Sequence, residues 1–220
     1  MAESSEVMAH ASKVTHDQMI RLQQSGLLDA AQEMIVGING GQESLEIANL
    51  LIPAKAKRVL HGLESRAENL TIVELEKWAP LHPGWNVLYF HARGATRDSD
   101  SEYDQFIDRW RECMMWHCIS NWRNCVALLD SGYDAVGAHW MPPHRIFGGN
   151  FWWATSEYLA TVEHLSERER VKISGIASLA SRYEAEVWIG HGKKIPKTQD
   201  LHKTQLPKCS FDASPFIGTP

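Results

Sequence analysis

The stretch that most constrains this chain runs from Ile146 to Ala154, Ile-Phe-Gly-Gly-Asn-Phe-Trp-Trp-Ala. Glycine inside a strand weakens it unless something must approach the backbone closely, and here two stand side by side. Trp152 and Trp153 are adjacent, and neighbouring strand residues point to opposite faces. The expectation is a strand that sends one tryptophan into the core and turns the other toward a ligand.

Around this stretch, apolar runs and helical periods alternate. Residues 1–14 read as a weakly structured start. A helix is expected over 15–25, with Thr15 as cap and Gly26 as stop. Strands follow at 33–38, 58–63, 86–90 and 134–138, with 146–154 the last clear one. Between them the spacing predicts helices at 44–51, 71–78 and 102–130. Helices over 156–162 and 167–181 come next, then a short apolar element at 185–189. From Gly190 the sequence turns polar, with Pro196, Pro207, Pro215 and Pro220, and reads as an extended tail. Such alternation predicts an α/β fold, a mostly parallel sheet flanked by helices. In sheets of that kind ligands bind beyond the carboxyl ends of the strands. Three strand ends carry polar or glycine-rich residues: Asn39-Gly40-Gly41, His91-Ala92-Arg93-Gly94 and His139-Trp140.

Charge and cysteine narrow the function classes. The formal net charge over 220 residues is -5. That leaves no cationic footprint for nucleic acid. No run approaches the roughly 18 apolar residues needed to span a bilayer. Residues 1–16 lack the apolar centre of a signal peptide, so a cytoplasmic location is the default expectation. The four cysteines, Cys113, Cys118, Cys125 and Cys209, form no C-x-x-C pair. They read as reduced thiols rather than a zinc site.

Several short motifs carry chemistry. His91-Ala92-Arg93-Gly94 can hold a phosphate, because arginine offers a planar fork of donors and glycine lets backbone amides come close. It can equally be a tight turn with exposed polar side chains. Cys113 and His117 would share a helix face, but with no carboxylate at metal spacing they read as surface or core residues. His139 and His144 flank Met141-Pro142-Pro143 and could meet across a bend, although two loop histidines are usually solvated. Glu184 and Glu186 would share a face in an extended segment and diverge in a helix. A glutamate desolvated among Tyr183 and Trp188 is suited to general-base work. The alternative is one surface glutamate and one paired with Arg182. Neither a phosphate-binding glycine loop, a G-x-S-x-G elbow nor an H-E-x-x-H helix is present.

Six segments, in order, resemble small glycosyltransferase-like proteins of the nucleotide-diphospho-sugar transferase superfamily, which have the GT-A fold. They are Gln24–Asp29, Leu88–Gly94, Arg109–Arg111, Gly132–Gly137, Gly149–Ala154 with Tyr158-Leu159, and Glu184–Ile189. The Gly-Asn-Phe-Trp-Trp-Ala string is the most specific. The resemblance spans about 15–190 and implies a GT-A-like, Rossmann-like fold in three layers, with 191–220 as a tail. It implies a nucleotide-diphosphate sugar donor and a glycan or other hydroxyl acceptor. Glu186 would stand as the acceptor-side carboxylate, a general base if the transfer inverts. His91 and Arg93, with Gly94 and with Arg97 or Arg111 nearby, would meet the diphosphate. Gly149 and Asn150 would lie at the sugar, Trp152 or Trp153 would be its stacking wall, and Asp134 would be a further substrate contact. Many GT-A enzymes hold a divalent metal with an Asp-x-Asp motif where this chain has His91–Gly94. No metal ligand is therefore assigned here, cationic side chains could take over that role, and dependence on Mn or Mg stays open. The family also opens with a hydrophobic strand that residues 1–14 do not supply, and it often has Lys where Arg93 stands, which changes geometry but not charge. A catalytically inactive carbohydrate- or nucleotide-binding relative is the alternative expectation. An interaction protein with an exposed aromatic patch is the next.

Overall fold

A computed structural model describes residues 5–62, 68–95, 102–165 and 180–202. In chain order the elements are α1 (Ser5–Gln24), α2 (Leu27–Ala30), β1 (Ile35–Asn39), α3 (Gln42–Leu51), β2 (Lys57–Gly62), α4 (Asn69–Trp78) and β3 (Asn86–Tyr89). Then come α5 (Glu102–Met115), a π-helical turn (Trp116–Ser120), α6 (Trp122–Asp130), β4 (Ala135–Gly137), β5 (Trp140–Met141) and β6 (Ile146–Phe147). The last are β7 (Trp152–Thr155), α7 (Ser156–Leu159), α8 (Ala180–Trp188) and β8 (Thr198–Asp200). The class is α/β, as the alternation predicts. Among the described residues no helix is long and apolar enough to cross a membrane.

The described chain divides into two compact units, one of residues 5–62, 91–95 and 102–122, the other of residues 68–90, 123–165 and 180–202. In the first unit β1 and β2 pair in parallel, with α3 as the crossover between them. A parallel pair needs such a crossover, because a tight turn can only reverse the chain. Ile38, Ala48, Ile52 and Ala56 fill the space between strands and helix. Where the sequence reads a weak start followed by a helix from 15, α1 is one 20-residue helix from Ser5. Val14, Gln18 and Leu22, four apart, form a single buried stripe along it, and Met8 is buried one turn and a half earlier. The long helix expected over 102–130 is instead interrupted by the π turn at Trp116–Ser120.

The second unit holds a four-stranded sheet in the order β3-β7-β4-β8. β7 runs antiparallel to both β3 and β4, and only β4 and β8 are parallel. The mostly parallel sheet is thus corrected to a mixed one. Of the segment 185–189, read as an apolar element of its own, Ala185 to Trp188 form the end of α8 and Ile189 follows it in a turn, and most of the helix expected over 167–181 lies outside the described residues. The tail expected from 191 enters the fold, because β8 extends the sheet and Pro196 is buried.

The stretch 146–154 is not one strand. β6 forms a small antiparallel pair with β5, and β7 starts only at Trp152. The break has a local cause. Gly149 (φ 89°) and Asn150 (φ 58°) are consecutive left-handed residues, which no strand tolerates. The Asn150 N–H donates to the Phe147 carbonyl (2.9 Å), closing a turn with Gly149 at the position that requires positive φ. β7 then lies at the centre of the sheet, with Trp152 on one face and Trp153 on the other, both buried. On the Trp152 side the core includes Ile72, Tyr89, Phe147, Tyr158 and Trp188.

Candidate functional site

In the second unit, four side chains form one continuous hydrogen-bonded group. Asn150 is fully buried at the left-handed turn. Its Nδ2 donates to Glu68 Oε2 (2.7 Å), and its Oδ1 accepts from Trp152 Nε1 (2.8 Å). The same Glu68 oxygen accepts from the Tyr89 hydroxyl (3.1 Å). Tyr89 and Trp152 stack with ring centroids 5.1 Å apart, and Trp188 tilts against Trp152 at 6.1 Å. The backbone puts them there: Tyr89 and Trp152 are directly paired residues of β3 and β7, and Asn150 ends the turn just before β7.

The electrostatics of this group are one-sided. Burial holds the Tyr89 phenol well above its ordinary value, and the charge of Glu68, the Tyr89–Glu68 hydrogen bond and the more distant charge of Glu186 push the same way. Tyr89 is therefore a neutral donor over the whole physiological range. Glu186 and Glu184 lie on α8, half-buried. Being two apart on a helix they diverge. Glu184 accepts from the buried Asn69 Nδ2 (3.3 Å), and Glu186 acts on Tyr89 through its charge. Two partly accessible carboxylates thus act on a buried phenol, Glu68 through a hydrogen bond and Glu186 through its charge. Such groups can accept hydroxyl protons and hydrogen bonds from a polyol.

The structure redefines several residues expected to touch substrate. Asn150 spends both ends of its amide on Glu68 and Trp152 and is out of reach of solvent, so it shapes the turn rather than contacting a sugar. Trp152 and Trp153 are both buried and offer no open stacking wall. Gly149 is buried with them and supplies the positive φ of the turn. Asp134 pairs with Lys194 (2.7 Å) and accepts from the Lys197 N–H (2.8 Å), which ties the approach to β8 onto the start of β4. Glu186, expected on the acceptor side, lies half-buried on α8 and acts on Tyr89 through its charge. Glu68 and Tyr89 join it without having been singled out. Tyr89 stands two residues before His91 in a string already of interest, but Glu68 has no local signal, because its partners lie 21 and 82 residues away.

The His91–Gly94 loop belongs to the first unit, and it is a tight turn. The Arg93 N–H donates to the His91 carbonyl (2.8 Å) and the Ala95 N–H to the Ala92 carbonyl (3.1 Å). Gln18 Nε2 also donates to the His91 carbonyl (2.9 Å). Gly94 sits at φ 83°, and a Cβ there would lie 2.8 Å from an Ile107 methyl, so no larger residue fits. Arg93 stacks its guanidinium 3.9 Å from the Trp110 ring centre and remains half-buried. Arg111 is buried, with one arm donating to the Arg93 carbonyl (2.7 Å) and the other paired with Asp108 (2.7 Å). Arg111 thus clamps the loop, with one terminal nitrogen on the Arg93 carbonyl and the other on Asp108. Arg97 lies outside the described residues. Of the histidines read as a loop pair, His139 is buried and His144 is exposed on the β5–β6 turn.

A protein-family model described as a domain of unknown function (DUF8361) matches residues 1–206. The chain belongs to this family. The DUF8361 match takes in both units and each of the residues described above, so the Asn150 turn and the His91–Gly94 loop lie within one family domain. No curated protein and no solved structure matches the chain.

Proposed function

We propose that the protein transfers a sugar from a nucleotide-diphosphate donor to a hydroxyl acceptor, on a mixed-sheet relative of the GT-A architecture. The observation that carries this reading is the half-buried Glu186, whose charge acts on the buried Tyr89 of the Tyr89–Glu68–Asn150 group. A carboxylate poised next to fixed hydrogen-bonding groups and an aromatic core is what a sugar hydroxyl needs from its base. In this reading Glu186 takes the acceptor's proton as its oxygen bonds to the anomeric carbon. The bond to the donor phosphate breaks, and its electron pair leaves on the nucleoside diphosphate. Glu68 and Tyr89 keep the surroundings of Glu186 fixed. Within the first unit, Arg93 is a fixed cation on an ordered turn and by itself suits an anionic group.

Calorimetry against UDP- and GDP-sugars, with and without manganese, tests the reading. The expected result is binding of one donor class. Glu186→Gln should retain that binding and lose turnover. Failure of every nucleotide sugar to bind would overturn the proposal. Donor binding without product in the parent protein would instead support the inactive sugar-binding relative.

A further inference from the structure

We propose that the loop Lys193–Lys197 docks the second unit onto an anionic lipid bilayer, with Ile195 as the inserted side chain. The loop is Lys-Lys-Ile-Pro-Lys, and no acidic residue occurs from Gly190 through Gln199, in a chain whose net charge is -5. Both ends are pinned. The Lys193 N–H donates to the Thr161 carbonyl (3.0 Å), next to a bridge between Val162 and Gly192. The Lys197 N–H donates to Asp134 Oδ2 (2.8 Å). Pro196 is buried and holds the loop from beneath. What this frame presents is an isoleucine left 67% exposed between exposed lysines.

The surrounding charges favour an anionic surface. Lys194 pairs with Asp134, which cancels that carboxylate, and Lys197 places its ammonium 4.4 Å from the Tyr133 ring centre. Lys193 carries its charge at the surface. Arg145, exposed on the β5–β6 turn, adds a cation close by, because its backbone packs directly on Gly190. Among the described residues, Glu163 is an acidic neighbour, and its N–H donates to the His191 carbonyl. Lysines ringing an exposed aliphatic suit the bilayer interface. The charges attract the anionic headgroups while the aliphatic enters the acyl boundary and the lysine stems snorkel. A soluble polyanion would use the lysines and ignore Ile195.

The test is co-sedimentation of the full chain with vesicles of phosphatidylcholine alone and with vesicles containing about one-third phosphatidylglycerol. Binding is expected to the second kind only and to fall as salt is raised. Lys193→Gln should lower the partition coefficient about fivefold. Ile195→Ser should lower it too, with both variants unfolding at the parent's denaturant midpoint. No binding, or equal binding to both vesicles, overturns the proposal. So does anionic binding that Ile195→Ser leaves unchanged, which would mark a patch for polyanions instead.

Discussion

Asn150 donates its amide to Glu68 at 2.7 Å across 82 residues of sequence while its own backbone sits in the left-handed region. The contact therefore sets two things at once, the turn that separates β6 from β7 and the position of the Glu68 carboxylate. Asn150→Ala removes both hydrogen bonds, leaves the Trp152 N–H without its acceptor and keeps the left-handed strain. It should destabilise the second unit by about 3 kcal/mol or more, read from denaturant unfolding. Asn150→Asp is the sharper version. It places a buried carboxyl beside Glu68, and burial and the like charge both raise that carboxyl's pKa. A group raised in the folded state stabilises below its unfolded value, and that contribution disappears as pH rises. The Asn150→Asp variant should thus be weakest near neutral pH and recover toward acid, where the parent does not.

How much of this was legible beforehand depends on how local each cause is. The strands at Ile35–Asn39, Lys57–Gly62 and Asn86–Tyr89 were visible because a short apolar run between turn residues announces itself. The run Ala185–Ile189 was not assignable, since five apolar-rich residues fit a strand or a buried helix turn equally well; in the fold Ala185 to Trp188 close α8. The glycines and tryptophans of 146–154 are unusual for a strand on sequence alone. Their actual cause, two successive left-handed residues, needs backbone angles that a non-glycine such as Asn150 does not advertise. The parallel sheet is not met for a related reason: the connection from β4 to β7 is a β-hairpin and a turn, with no helix to carry the chain back over the sheet, and β7 runs antiparallel to β4. Glu68 could not be found at all, because nothing near it in sequence shows that Tyr89 and Asn150 will meet on its carboxylate.

The same carboxylate leaves a mark on tyrosine ionisation. Tyr89 and Tyr158 are both held above the ordinary phenol value, each chiefly by burial. For a phenol raised in the folded state, the stabilising contribution is complete below the unfolded value near 10 and is lost as pH rises toward the folded one. In an alkaline absorbance titration, Tyr89 and Tyr158 should each ionise above the ordinary phenol range. Glu68→Gln removes one negative neighbour of Tyr89 and should lower the pH at which it ionises, while burial keeps it above ordinary. Tyr158, tied to the Ile189 carbonyl at 2.6 Å, should not respond.

Two glycines separate strain from collision. Gly132 has φ 94° but open space where a Cβ would go, so Gly132→Ala should cost only the left-handed penalty, about 1 kcal/mol. Gly190 has the Arg145 backbone pressed against the site of its missing Cβ. Gly190→Ala must push the β5–β6 turn away from the end of α8 and should cost clearly more than the Gly132 variant. It should also raise amide exchange in residues 140–147, a change that Gly132→Ala leaves out.

Arg93 and Arg111 are both arginines beside the same turn, yet their surroundings assign them opposite consequences. Arg111 is buried and spans two acceptors, the Arg93 carbonyl and Asp108. Lysine has one ammonium and cannot bridge both in that geometry, so Arg111→Lys leaves a buried acceptor or a buried charge poorly met. It should destabilise the first unit by about 2 kcal/mol. Arg93 lies half-buried over Trp110, a contact worth about 0.5–1 kcal/mol, so Arg93→Lys should change stability little. If the turn binds a diphosphate, donor affinity measured by calorimetry should fall in the Arg93 variant while its unfolding midpoint stays near the parent's. Should donor affinity track unfolding in both variants alike, Arg93 would be a second clamp and the phosphate role would be refuted.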